Sequence, residues 1–149
     1  MPRYEVTLNF FNNDFLRTLF PLNTNFLLIT QATDEIADFI RENILKKTES
    51  PFLPQARVYA SKHGFHLRRT VKLDPVSEFF IYDLVARNRT SFRKDFSDKR
   101  RNFGFKFEKG RVVSPSASYR AFKAAIIDAT SEFRYGATFD ISTYFNSIY

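Results

Sequence analysis

Ala56 to Pro75 reads A-R-V-Y-A-S-K-H-G-F-H-L-R-R-T-V-K-L-D-P, and the order of its residues decides the fold. Two runs, Ala56–Ala60 and His66–Leu73, are built of residues that suit a pleated, half-buried strand. Between them Lys62-His63-Gly64 makes a turn in which glycine is available for positive φ, so the pair predicts a β-hairpin. Side chains alternate along a strand, which puts Leu67, Arg69, Val71 and Leu73 on one face and Arg68, Thr70 and Lys72 on the other. Arg69 thus stands on an otherwise apolar face, where an arginine is either paired with an acid or reserved for an anionic ligand. Asp74-Pro75 then starts a helix, with an acidic cap and Pro at the first helical position. Val76, Phe79, Phe80, Tyr82, Asp83 and Leu84 carry it to about Asn88.

Toward the N-terminus, Ser50-Pro51-Phe52-Leu53-Pro54 is a rigid connector. Before it, Thr33 can cap a helix and Asp34 and Glu35 favour its positive end. Ile36, Phe39, Ile40 and Ile44 recur at helical spacing, and Lys46-Lys47 suit the negative end. A helix is expected from Asp34 to Lys47. Tyr4 to Phe11 reads as a strand or an initial helical turn, and Asn12-Asn13-Asp14 offer caps for a short helix through Phe20 that Pro21 stops.

Toward the C-terminus lies a basic stretch with Arg87, Arg89, Arg93, Lys94, Lys99, Arg100, Arg101, Lys106, Lys109 and Arg111, interleaved with Phe92, Phe96, Phe103, Phe105 and Phe107. Cations tethered beside aromatic anchors suit a nucleic-acid path, the charges meeting phosphates and the rings stacking on bases; alternatively the rings are core and the charges a solvated face. Ser114-Pro115-Ser116 opens a long helix to about Ser131 with an apolar stripe of Tyr119, Phe122, Ile126 and Ala129, and Arg134-Tyr135-Gly136 ends it. The last stretch, Ala137–Tyr149, reads A-T-F-D-I-S-T-Y-F-N-S-I-Y: a short apolar strand ending on Asp140, then an aromatic, helix-like segment. A carboxylate at a strand end suits a hard divalent cation, with the next backbone carbonyl as a second oxygen ligand. The plainer alternative is an aspartate that caps the following helix near Ser142 or Thr143.

Composition sets the outer limits. The 149 residues are one domain's worth of chain, and an apolar fraction of 44% is enough for a core, with nineteen phenylalanines and no tryptophan to build it. A net charge of +7 and a pI near 9.8 point to a polyanionic partner, nucleic acid before an anionic membrane. No apolar run approaches the roughly 20 residues a bilayer span needs, and the start M-P-R-Y-E-V-T lacks a signal peptide's apolar region, so a cytoplasmic protein without membrane contact is expected. With no cysteine, disulfides, Cys-based zinc sites and thiol nucleophiles are excluded; His63 and His66 alone are too few for a zinc site. No Ser-His-acid set suggests a hydrolase.

Three of these stretches, from Arg57 to Tyr149, resemble in order the motifs of bacterial reverse transcriptases of the retron and group II intron type. The hairpin with R-R-T-V-K-L-D-P is similar to the family's fingers hairpin. F-S-D-K-R-R-N-F-G-F-K-F-E-K-G-R is similar to its aromatic-Gly-aromatic-basic element, and F-D-I-S-T-Y-F-N-S-I to its first catalytic motif, apolar-Asp-Ile-x-x-aromatic-aromatic-x-Ser-Ile. Within that superfamily the defence-associated, antiviral and abortive-infection kind looks most alike. The resemblance implies an α+β fold, the fingers subdomain and start of the palm of a right-hand polymerase with one β-hairpin and several helices. It divides the chain into an N-terminal helical region at 1–54, a fingers-like region at 55–136, and the first palm strand with its catalytic motif at 137–149. It implies RNA-directed DNA synthesis with two Mg²⁺ ions, an RNA template, a DNA product and deoxynucleoside triphosphates. Asp140 and the Ile141 carbonyl become metal ligands, Lys62 and Arg69 hold the incoming triphosphate, and Phe145 is the aromatic gate against a 2′-hydroxyl. Arg93, Lys94, Lys99, Arg100, Arg101, Lys106 and Arg111 line the nucleic-acid path.

Two positions depart from that pattern. Asn146 stands where many relatives carry an acid, and the family's second motif, aromatic-x-Asp-Asp, has no counterpart, since no Asp-Asp pair occurs in the sequence. A two-metal site needs another carboxylate. The expectation is therefore that these residues are part of a longer enzyme, inactive alone, completed by a partner protein or by the remaining palm and thumb polypeptide. The rival expectation is a non-catalytic basic module that binds RNA or docks on a partner.

Overall fold

The computed structural model of the chain describes residues 3–15, 21–46, 52–62, 64, 66–91, 102–104 and 107–139. Its elements in order are α1 (Glu5–Phe15), α2 (Asn23–Gln31), α3 (Thr33–Phe39) continuing into a π-helical stretch (Ile40–Leu45), β1 (Ala56–Lys62), β2 (His66–Lys72), α4 (Pro75–Arg87), β3 (Phe107–Glu108), β4 (Arg111–Val112) and α5 (Pro115–Glu132). The fold is mixed α+β, as the sequence predicts. Each strand pair is a separate two-stranded antiparallel sheet.

The core lies among α1, α2, α3, its π-helical extension and α4. Phe11, Phe15 and Phe79 interlock there with Ile29, Ile36, Ile40 and Ile44, and Phe11, Phe79 and Ile29 are fully buried. Among the described residues phenylalanine thus supplies three of the nine buried members of this cluster and isoleucine four, so the core is not built largely on phenylalanine. The aromatic contacts are largely edge-on, as ring quadrupoles favour: Tyr4 on Phe79 at 5.5 Å, Phe11 on Tyr82 at 5.1 Å and Phe10 on Tyr82 at 4.9 Å.

The N-terminal expectations need correction. Of the two readings of Tyr4–Phe11 the strand is wrong and the helical turn right: from Glu5 an eleven-residue helix runs straight through Asn12-Asn13-Asp14 to Phe15. Those three residues lie within α1, and two of their side chains have other work; the expected helix through Phe20 lies outside the described residues. Asn13 donates to the Asn9 carbonyl one turn back at 2.7 Å, and Asp14 accepts from the Tyr82 hydroxyl at 2.7 Å. Helix α2 was not anticipated. It has no side-chain cap at Leu22, and Leu27 and Leu28 are half exposed, so neither a start signal nor a clean apolar stripe marks it. The expected helix from Asp34 forms, but Thr33 does not cap it: its hydroxyl donates to the Ile29 carbonyl at 2.6 Å, in the preceding helix. From Ile40 the ladder widens to a π-helix, which keeps Ile40 and Ile44 on the core while Phe39 turns outward at 48% exposure.

The hairpin forms in the predicted place with full antiparallel register from Ala56↔Lys72 to Lys62↔His66, and Gly64 takes the positive φ of +84°. Leu73 falls just beyond β2. Asp74 caps α4 as expected, accepting from the backbone N–H of Val76 at 2.9 Å and of Ser77 at 3.1 Å, while the Ser77 hydroxyl donates to its other oxygen. Lys109 and Gly110 both adopt positive φ, +49° and +78°, and make the tight turn of the small second hairpin. That hairpin packs on α1 through Phe107, whose ring meets Phe10 at 5.2 Å. Helix α5 starts where predicted, with Ser114 accepting from the Ala117 N–H at 3.2 Å. Residues 133–139 belong to no helix or strand, and Phe139 is 92% exposed.

Candidate nucleic-acid interface

The register sorts the first hairpin into two faces. One carries Val58, Ala60, Thr70 and Lys72, all buried or half-buried against the helices. The other carries Arg57 opposite Val71, Tyr59 opposite Arg69 and Ser61 opposite Leu67, all exposed, with Tyr59 at 62% and Leu67 at 69%. The alternation is as predicted, but the more apolar face is the one that meets water. The polar face is turned inward because its Lys72 has a buried partner to reach.

That partner is Glu78, on the first turn of α4. Lys72 Nζ donates to both of its oxygens, at 3.0 and 3.1 Å, and the side chains of the two residues are only 12% and 8% exposed. Asn25 of α2 also donates to Glu78 and, through the same nitrogen, to the Leu73 carbonyl at 3.1 Å. A carboxylate out of water is tolerated only when charge and lone pairs are both answered, and here a lysine and an amide answer them. The network clamps α2, the end of β2 and the start of α4 together. Nearby, Tyr82 donates to Asp14, and burial followed by that hydrogen bond pushes its phenol well above the usual tyrosine range. These groups border a cleft of about 360 Å³ between α1, β2 and α4, whose polar side chains already serve one another.

Arg69 has no acidic partner among the described residues, which leaves its guanidinium on the open face beside Tyr59. No Asp or Glu occurs between Gln55 and Leu73, while Arg57, Lys62, Arg68, Arg69 and Lys72 do, so no acid within the hairpin offsets its charge, and Lys72 is answered from α4 by Glu78. Lys62 ends β1 opposite His66. Arg111 lies exposed on β4. The start of the basic stretch is tied down instead: Arg87 Nε donates to Asp83 at 2.6 Å and Arg89 to the Ala86 carbonyl at 2.8 Å. Asp83 also accepts from Thr7 at 2.9 Å, which fastens α1 to α4.

Arg93, Lys94, Lys99, Arg100, Arg101 and Lys106, and with them Asp140, Ile141 and Phe145, lie outside the described residues. Of the sequence-predicted residues on the first hairpin, Arg69 stands on the open face, whereas Lys62, paired with His66, has the register position of Ala60 and Arg68 rather than that of Arg69. Arg57 and Tyr59 share the open face with Arg69 and were not singled out from sequence; the signal was present in their two-residue spacing, read against Arg69 across the turn. A carboxylate and a backbone carbonyl are hard oxygen donors and suit Mg²⁺. Among the described residues no group of three or more His, Asp or Glu side chains could hold a metal ion, and no helix is long and apolar enough to cross a membrane. Comparisons with protein-family models, with curated proteins and with solved structures found no match.

Proposed function

We propose that this chain is the fingers and the first palm segment of an RNA-directed DNA polymerase, acting in bacterial antiviral defence. The observation that carries the reading is Arg69, exposed on an acid-free hairpin and without an acidic partner among the described residues. Of the two fates open to an arginine on that face, the anionic ligand is the one this arrangement favours. Phosphoryl transfer asks a protein mainly for positioning and charge neutralisation, so a rigid cationic hairpin is a fitting holder for a triphosphate.

In this proposal Lys62 and Arg69 meet the triphosphate, Phe145 excludes a 2′-hydroxyl, and Arg93, Lys94, Lys99, Arg100, Arg101, Lys106 and Arg111 follow the RNA template and DNA product. Asp140 and the Ile141 carbonyl hold Mg²⁺, which when bound stabilises the attacking and leaving oxygens. Isolated residues 1–149, lacking an Asp-Asp pair, do not synthesise DNA. Reading the codons after Tyr149 tests the proposal at once: it expects an aromatic-x-Asp-Asp there. Its absence from both that reading frame and any partner polypeptide favours the second reading, a non-catalytic basic module that binds RNA or docks on a partner. The exposed apolar stripe of α5 suits that reading as well.

A further inference from the structure

A second site shares no residue with the first hairpin or with the cleft beside it. Phe103, Gly104, Val113, Pro115, Tyr119 and Phe122 wall a pocket of about 380 Å³ at the start of α5, within the range of roughly 300–1,000 Å³ that small-molecule sites occupy. Three of its walls are rings. Phe103 meets Phe122 edge-on at 5.7 Å, and Tyr119 lies 6.2 Å from Phe122 at 34°. Its lining includes Ser118, which is 6% exposed and whose hydroxyl has no hydrogen-bond partner among the described residues. A buried hydroxyl left unanswered is costly, so this one points to a missing donor or acceptor. Lys123 Nζ stands 5.0 Å from the centre of the Tyr119 ring, at the rim. Between Arg87 and Lys123 the only acids are Asp95, Asp98 and Glu108, against a long series of lysines and arginines, so the sequence that carries the pocket is strongly basic.

We propose that this pocket takes one unstacked base of a single-stranded RNA, with its ring against Tyr119 and Phe122, its edge hydrogen-bonded to Ser118, and the adjoining phosphate met by Lys123. An aliphatic ligand leaves the Ser118 hydroxyl unanswered, and an acidic peptide leaves the rings unused. A base in a phosphate chain satisfies ring, hydroxyl and ammonium together. The inference rests on the RNA-binding half of the function proposed above but on none of its residues.

The test is binding of the full 149-residue chain to a short single-stranded RNA carrying one 2-aminopurine, and to the same strand made abasic at that position. Stacking is expected to quench the 2-aminopurine, and Tyr119→Ala to weaken binding about tenfold with the salt slope unchanged, because a stack and not a phosphate contact is lost. Ser118→Ala is expected to shrink the preference among bases by about threefold or more. Tyr119 is 59% exposed, so its removal leaves the fold intact; Ile127→Ala, on the same helix but outside the pocket, is the neutral control. RNA that binds equally well with or without the base, or that binds Tyr119→Ala as tightly as the parent, overturns the pocket while sparing the RNA-binding reading. No RNA binding at all removes both. Unchanged RNA affinity with altered self-association in Tyr119→Ala makes the stripe a protein interface and overturns the pocket too.

Discussion

Single side chains decide how the hairpin is seated. Lys72 and Glu78 answer each other out of water, and removing one partner leaves a buried charge. Lys72→Met is expected to cost about 3–5 kcal/mol in chemical denaturation, whereas an apolar replacement of both residues costs less than the sum of the single changes. A double variant no better than that sum shows the pair to be independent. Tyr82 supplies a pH signature. Its phenol is held above the ordinary value of 10.0, so the folded state keeps that proton longer than the unfolded chain does. The resulting stability is fully present below pH 10 and is lost as the pH rises beyond it toward the raised value. In ultraviolet titration Tyr82 should ionise only with unfolding, and Tyr82→Phe should flatten the alkaline limb of stability. A Tyr82→Phe chain whose alkaline limb matches the parent's contradicts the contact with Asp14. None of these partners was legible in the sequence. Lys72 and Glu78 are close in the chain, but Asn25 comes from 53 positions before Glu78 and Asp14 from 68 positions before Tyr82, and periodicity carries no information at such separations.

Elements that announce themselves with a local cap were readable; those held by tertiary packing were not. Asp74-Pro75 and Ser114-Pro115 marked the starts of α4 and α5 to the residue, because a side-chain acceptor followed by proline satisfies orphan N–H groups without outside help. Asp74→Ala is expected to destabilise the molecule by about 1 kcal/mol or somewhat more, since it removes two backbone hydrogen bonds and that of Ser77; thermal unfolding measures it. An unchanged midpoint rules out the cap as a stabilising feature. Helix α2, by contrast, has no cap and buries only Asn25 and Ile29, so its existence depends on what α4 and β2 offer it. In α1 the Asn12-Asn13-Asp14 run looked like a start because such residues usually bond locally. It is an interior because Asp14 reaches Tyr82 and the Phe11–Phe15 pair is buried.

At the scale of the whole molecule, an excess of positive charge meets an open hairpin face. The alternation of Leu67, Arg69 and Val71 was legible from the sequence; which face would look outward was not, since that choice was made by the buried Lys72–Glu78 pair on the other side. RNA affinity is expected to fall steeply with salt, in proportion to the phosphates neutralised, and Arg111→Ala, which removes an exposed cation of the proposed RNA path, should lower the slope of log affinity against log salt by about 1. A flat salt response makes the basic residues a solvated face and nothing more. The claim that organises all of this is that Asp140 is a metal-binding catalytic carboxylate served by the hairpin. Its most direct test is Mg²⁺-dependent DNA synthesis on an RNA template by a polypeptide that includes these residues and a following aromatic-x-Asp-Asp. The account predicts that Asp140→Ala reduces synthesis at least a thousandfold, roughly the ~4 kcal/mol that loss of a central charge-stabilising group costs, while leaving RNA affinity unchanged. Full synthesis by the Asp140→Ala polypeptide contradicts it.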